Sequence, residues 1–158
     1  MLEDALKIGF TRDHELIERV LGLIGERTRA IPYNQWYPVF EDANSALSIR
    51  LQRAGHILGS AYVECDACCG ADRERIVFSG DLGAPATPLI PSPEPPEACD
   101  RLIMESTYGD RDHDHREDRR DQLRTVIEQA LADGGTVLIP AFSLGRTQEL
   151  LYELETIF

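Results

Sequence analysis

Three short apolar runs in this sequence each stop on a residue that can hold a metal or move a proton. Leu47, Ile49 and Leu51 alternate with Ser48, Arg50 and Gln52, the period of a half-buried strand, and lead into Gly55-His56-Ile57-Leu58-Gly59-Ser60. Arg75 to Ser79 reads as a second strand and ends at Gly80-Asp81-Leu82-Gly83. Leu102-Ile103-Met104 reads as a third and ends at Glu105-Ser106-Thr107-Tyr108-Gly109. Strand ends are rigid and their loops are free to approach a ligand, so the pattern predicts a sheet whose loops present His56, Asp81 and Glu105. A carboxylate at the end of an apolar strand is costly unless it meets a cation or donors.

The rest of the chain fits a folded α/β protein. It has 158 residues and a net charge of −12, from 16 Lys and Arg against 28 Asp and Glu. With 42% apolar and 28% charged residues it falls outside the disordered class. The charge argues against a simple basic glove for nucleic acid, though not against a nucleic-acid enzyme whose metal supplies local positive charge. No run approaches the ~20 apolar residues of a membrane span and no leader is visible, so the expectation is a cytoplasmic protein with no membrane partner.

Apolar residues from Leu16 to Ile24 recur at helical spacing, with Thr11 as the expected N-cap. Pro32 to Pro38 reads as a break. Glu64 to Glu74, polar and carrying Gly70, reads as a hairpin loop. Residues 84–98 hold six of the nine prolines and read as an extended surface loop. Leu123 to Leu131 marks a further helix, closed by Gly134-Gly135. Thr136 to Phe142 is expected as a strand, and Ser143 onward as a last helix. The order strand, helix, strand, helix from Arg101 suggests an α/β layer arrangement.

An imidazole and two carboxylates suit zinc and a two-metal hydrolytic centre. Taken alone they do not complete a tetrahedral site, and a satisfied loop histidine beside a turn-forming aspartate is then the stronger reading. The wording of the segments changes this. Ala54 to Ala61 resembles the third metal-binding motif of the beta-CASP branch of metallo-β-lactamase-fold nucleases. Phe78 to Gly83 resembles the fourth, Glu105 to Gly109 resembles motif A, and Gly134 to Leu150 resembles the opening strand and helix of the beta-CASP insertion.

The resemblance implies an α/β fold. Residues 1–109 would be the later part of the first segment of a metallo-β-lactamase αββα sandwich, and 110–158 the start of the beta-CASP domain. It implies a zinc-dependent nuclease that hydrolyses phosphodiester bonds of single-stranded RNA, with two zinc ions in the complete site. His56 would ligate one zinc and Asp81 would bridge both. Glu105 would support catalysis by orienting a downstream histidine. The family's upstream His-x-His-x-Asp-His run and its later histidine motifs are absent. The expectation is therefore a piece of a larger protein, with two of the metal ligands, no turnover by itself, and apolar sheet surface that promotes self-association. A homodimer is an assembly the reading allows. Alternatives are a non-catalytic scaffold partner of an RNA-processing nuclease, or a hydrolase of the same fold acting on DNA or small esters.

Several weaker features remain. Cys65, Cys68 and Cys69 could be half a zinc site, but Cys99 stands alone and a loop reading is preferred. His113 and His115 sit in a charge run read as a solvated junction. At the start of the last helix, Ser143 and Arg146 are candidate RNA contacts, the alternative being a cap by Ser143 and an ion pair for Arg146. Tyr33, Trp36 and Tyr37 read as an aromatic patch closing a core.

Overall fold

The computed structural model describes residues 2–85, 87–112 and 118–158, which leaves the expectations for His113 and His115 outside the described residues. The chain divides into two compact units, residues 1–32 and 33–158.

The first unit is a pair of helices, α1 (Leu2–Gly9) and α2 (His14–Arg27). Helix α1 lies outside the segments whose spacing predicts a helix. It has Glu3 and Asp4 in its first turn and Lys7 in its last, the arrangement that the helix dipole favours. A Glu3–Lys7 pair at 2.6 Å, one turn apart, adds to it. Helix α2 matches the predicted apolar spacing, but its N-cap is Asp13 rather than Thr11: the Asp13 carboxylate accepts the Leu16 N–H. Thr11 Oγ1 instead accepts the Asp13 N–H at 3.1 Å, bracing the cap from outside.

The second unit is built on a five-stranded sheet in the order β1 (Trp36–Glu41), β2 (Ser45–Arg53), β3 (Ala61–Cys69), β4 (Asp72–Phe78) and β5 (Arg101–Ile103). The first four strands are antiparallel neighbours and β5 joins parallel to β4, so the sheet is mixed. Two helices follow, α3 (Arg119–Ala132) and α4 (Arg146–Ile157).

Two segments read as irregular are strands. The stretch expected to be a break opens β1, which tolerates Pro38 because it is an edge strand; the register shifts between Pro38 and Phe40. The expected loop from Glu64 to Glu74 is mostly ladder, with only Gly70 and Ala71 turning between β3 and β4 and Gly70 at φ +60. Its charges belong to the sheet because they find cross-strand partners: Glu64 accepts from Arg50, and Asp66 accepts from Arg73 Nε at 2.8 Å.

The converse holds for Thr136 to Phe142, which forms no strand in the structure. A strand needs a ladder neighbour, and none of the described strands pairs with this segment; Leu138 is 87% and Phe142 83% exposed. Before it, α3 closes as expected. Gly134, at φ +70, donates to Leu131 O and Gly135 donates to Ala130 O at 2.7 Å, a Schellman closure.

Alternation divides the sheet's side chains. Leu47, Ile49, Leu51, Val63, Cys65, Ile76 and Phe78 share one face. The other carries the row Trp36, Arg50, Glu64 and Val77, set by direct register pairing. On that second face the buried residues Tyr62, Val77 and Ala54 form the core, with Leu82 and Cys99 packed against them. Those last two flank the proline-rich loop, so the loop is anchored at both ends by the core. Trp36 does not close a core. Its ring lies under the Arg50 and Arg75 guanidinium groups, 4.9 and 5.4 Å from their carbons.

Candidate metal centre

The loops after β2 and β4 are joined backbone to backbone. Gly83 donates its N–H to Ala54 O at 2.8 Å, and a Cβ on Gly83 would fall 1.7 Å from Gly55 O. Only glycine permits this approach. Gly55 itself has φ +66, and a Cβ there would meet Pro91 O and Pro93 Cδ at 2.9 Å, so the proline-rich loop closes over the same junction.

Within the first loop, Ser60 Oγ accepts the N–H groups of His56 and Ile57 at 3.0 and 3.2 Å, and Ser60 N–H returns to Ile57 O. Tyr33 Oη donates to Ser60 O at 3.1 Å. The turn that carries His56 is thus fixed by the serine four residues on, a role the sequence signalled only as a small residue after Gly59.

These constraints set His56 Nε2 3.9 Å from Asp81 Oδ2, both side chains open to solvent. Two donors on one zinc at tetrahedral angle stand ~3.4 Å apart, so the pair is somewhat wider than a shared ion would set it. Among the described residues no group of three or more His, Cys, Asp or Glu converges on a metal position. What stands together is one imidazole nitrogen and one carboxylate oxygen, donor types that fit a borderline-soft divalent ion.

Glu105 joins the pair from β5. Ser79 N–H donates to Ile103 O, and Glu105 N–H donates to Ser79 Oγ at 3.0 Å, which aligns the two strand ends. The Glu105 carboxylate then accepts the Leu82 N–H at 2.5 Å and the Thr107 hydroxyl at 2.7 Å. The Leu82 N–H first, then the Thr107 hydroxyl, hold its carboxyl below the usual range against a small upward pull from burial, and nearby His56 lowers it further. Glu105 therefore grips the residue next to Asp81. Neither Thr107 nor Ser79 stood out in the sequence as part of this arrangement.

The start of α4 reaches the same region. Gly145, the N-cap at φ +85, packs against Ile57: a Cβ there would lie 3.0 Å from Ile57 Cγ2. Ser143 is not the cap: Gln148 clasps the turn, its Oε1 accepting the Gly145 N–H and its Nε2 donating to Ser143 O. Arg146 pairs with Glu149 at 2.7 Å. The cysteines do not gather. Cys68 and Cys69 are adjacent on β3 and point to opposite faces, all four thiols are free, and burial pushes the Cys65 thiol up.

No family model matches the chain. It is 38% identical to ribonuclease TTHA0252 of Thermus thermophilus over 162 aligned positions, covering 99% of this chain and 34% of that protein. It is 34% identical to RNase aCSPSF2 of Saccharolobus solfataricus, covering 96% of this chain and 29% of the relative. Against the cleavage and polyadenylation specificity factor 73 of Drosophila melanogaster the identity is 30%, with 98% of this chain and 22% of the relative covered. Over nearly its whole length the chain is similar to one stretch of these proteins, which are nucleases of the beta-CASP branch of the metallo-β-lactamase fold. It spans about a third or less of the length of these curated relatives.

Proposed function

We propose that the chain is part of a metal-dependent RNA-processing nuclease that hydrolyses phosphodiester bonds. In this reading the five-stranded sheet is part of an αββα sandwich, residues 1–109 belong to its first segment, and residues 110–158 open the beta-CASP domain. The observation that carries it is the pairing of His56 Nε2 with Asp81 Oδ2 at 3.9 Å across two loops locked by Gly83. The names of two relatives, both ribonucleases, support RNA as the substrate. The compartment we assign is the cytoplasm, and a homodimer is an assembly this reading allows.

Zinc suits the donors: His56 would hold one ion and Asp81 would share its two oxygens between two. A bound pair supplies the charge that clamps a phosphodiester and makes water a nucleophile at neutral pH. The chain's own residues do the positioning. Ser60 fixes the His56 turn, and Glu105 fixes the Asp81 loop through Leu82. Arg146, at the start of α4 beside Ile57, offers guanidinium N–H groups to the strand being cut, and Ser143 lies in the turn before it.

The test is to express the chain with whatever coding sequence adjoins it and to measure bound zinc and cleavage of a labelled single-stranded RNA. His56→Ala and Asp81→Ala should each lose zinc and cleavage while still melting cooperatively. Undiminished zinc content and cleavage in both variants would overturn the assignment. The 158-residue chain by itself, with two donors, is expected to show no turnover.

A further inference from the structure

The turn that carries His56 is open on one side. A pocket of about 360 Å³ lies between this turn and the end of β2, with Tyr33, Arg53, Ile57, Leu58 and Leu89 among its walls. Leu58 is 80% exposed. Packing does not hold the turn on that side, so its order there comes from hydrogen bonds. One carbonyl gathers them. Ser60 O accepts the Ala54 N–H at 3.2 Å and the Tyr33 hydroxyl at 3.1 Å, which fills both of its lone pairs. Ser60 Oγ accepts the N–H groups of His56 and Ile57. Ala54 in turn accepts the Gly83 N–H from the Asp81 loop at its own carbonyl. Ser60 is therefore tied to both loops, directly to the one bearing His56 and through Ala54 to the one bearing Asp81.

Tyr33 reaches this point from 27 residues upstream, ahead of β1. Its backbone is pinned first. Tyr33 bridges to Leu51 on β2, and the Asn34 N–H donates to Leu51 O at 3.0 Å. Asn34 stands at φ +63, a left-handed conformation that asparagine adopts more readily than most residues. The ring is fixed next: the Arg53 guanidinium carbon lies 5.7 Å from its centroid. With backbone and ring both held, the hydroxyl is committed to Ser60.

We propose that Tyr33 is a positioning residue for the His56–Asp81 pair, its hydroxyl holding the Ser60 carbonyl from which both loops are set. The inference rests on the metal reading of that pair and adds to it a group that touches neither donor.

The experiment compares wild type with Tyr33→Phe, which removes one oxygen and keeps the ring beside Arg53. Amide hydrogen exchange in the 158-residue chain is read at His56, Ile57 and Gly83, with Val63 and Val77 in the sheet as references. Loss of one hydrogen bond should speed exchange about fivefold at the loop amides and leave the sheet amides unchanged. Wild-type rates at the loop amides overturn the proposal. An equal increase at loop and sheet amides overturns it too, because the hydroxyl then serves the fold as a whole. Ser60→Ala tests the route. If Tyr33 acts through Ser60, the two substitutions together should speed exchange at His56 by less than the product of their separate effects, and a full product overturns that route. The metal is read in the longer polypeptide used to measure zinc. There Tyr33→Phe should weaken zinc affinity about fivefold and alter the visible absorption of the cobalt-substituted form, which reports ligand geometry. Faster exchange with unchanged affinity and spectrum overturns the positioning role and leaves the nuclease reading standing. A longer wild-type polypeptide that takes up no zinc overturns the metal reading and this role with it.

Discussion

Gly83 and Gly55 meet so closely that a methyl group on the first would occupy the carbonyl of the second, 1.7 Å from its oxygen. The contact fixes the distance between two loops that lie far apart along the chain, and so fixes the His56–Asp81 pair. Gly83→Ala cannot be absorbed by a side-chain rotation, since the neighbour is backbone. The loops must separate, at a cost of about 2 kcal/mol or more. Urea unfolding should show a lower midpoint, and zinc uptake should fall with it. A Gly83→Ala protein with the wild-type midpoint would mean that the loops are not locked in this way.

The Arg50–Glu64 pair lies on the same face of the sheet as the Tyr62–Val77 core. Glu64 is fully buried, Arg50 donates to its Oε2, and among the described residues its Oε1 has no hydrogen-bond partner. Arg50→Ala leaves that charge buried and alone and should cost about 3–5 kcal/mol. Arg50→Met combined with Glu64→Leu removes both charges and should cost less than Arg50→Ala. Denaturation midpoints of the variants measure this directly. If the double variant is the less stable of the two, the attraction within the pair exceeds the cost of taking both charges out of water.

The sequence disclosed the loop residues better than the sheet that carries them. Gly55, His56, Asp81, Gly83 and Glu105 are legible because two loops packed backbone to backbone demand unusual residues at fixed positions. The strand through Glu64 and Asp66 is not legible, because its charges look like loop residues until Arg50, Arg73 and Arg75 are known to lie opposite. Thr136 to Phe142 fails in the other direction. Its β-branched and apolar residues carry strand propensity, but strands are stabilised by neighbours, and none of the described strands is beside it. Ser60 and Thr107 escaped notice since a hydroxyl that accepts a loop N–H or caps a carboxylate has no spacing signature of its own.

Acid should loosen the α3–α4 contact. Burial pulls the Glu153 carboxyl up, but hydrogen bonds from Arg120 and Arg119 outweigh it and the group titrates below its usual range. A carboxyl depressed in the folded state binds fewer protons than in the unfolded chain, so its contribution is complete above the unfolded value. It is then lost as pH falls through the folded one. Helix content followed by circular dichroism should therefore decline below the ordinary carboxylate range, and Glu153→Gln should start lower and flatten the decline. An acid limb of the same steepness in both proteins would assign the transition to other carboxyls.

Glu105 separates positioning from charge. Its Oε1 accepts the Leu82 N–H beside Asp81, which an amide oxygen can also do, whereas alanine cannot. Glu105→Ala should free the Asp81 loop, speeding hydrogen exchange at the Leu82 amide and weakening zinc affinity by about 10–100-fold. Glu105→Gln keeps the acceptor and should keep the slow exchange and most of the affinity. The exchange measurement reports on the loop whether or not zinc is present, so it tests the hydrogen bond independently of the metal. Equal losses in the two variants would show that the negative charge of Glu105, and not its grip on Leu82, is what the site requires.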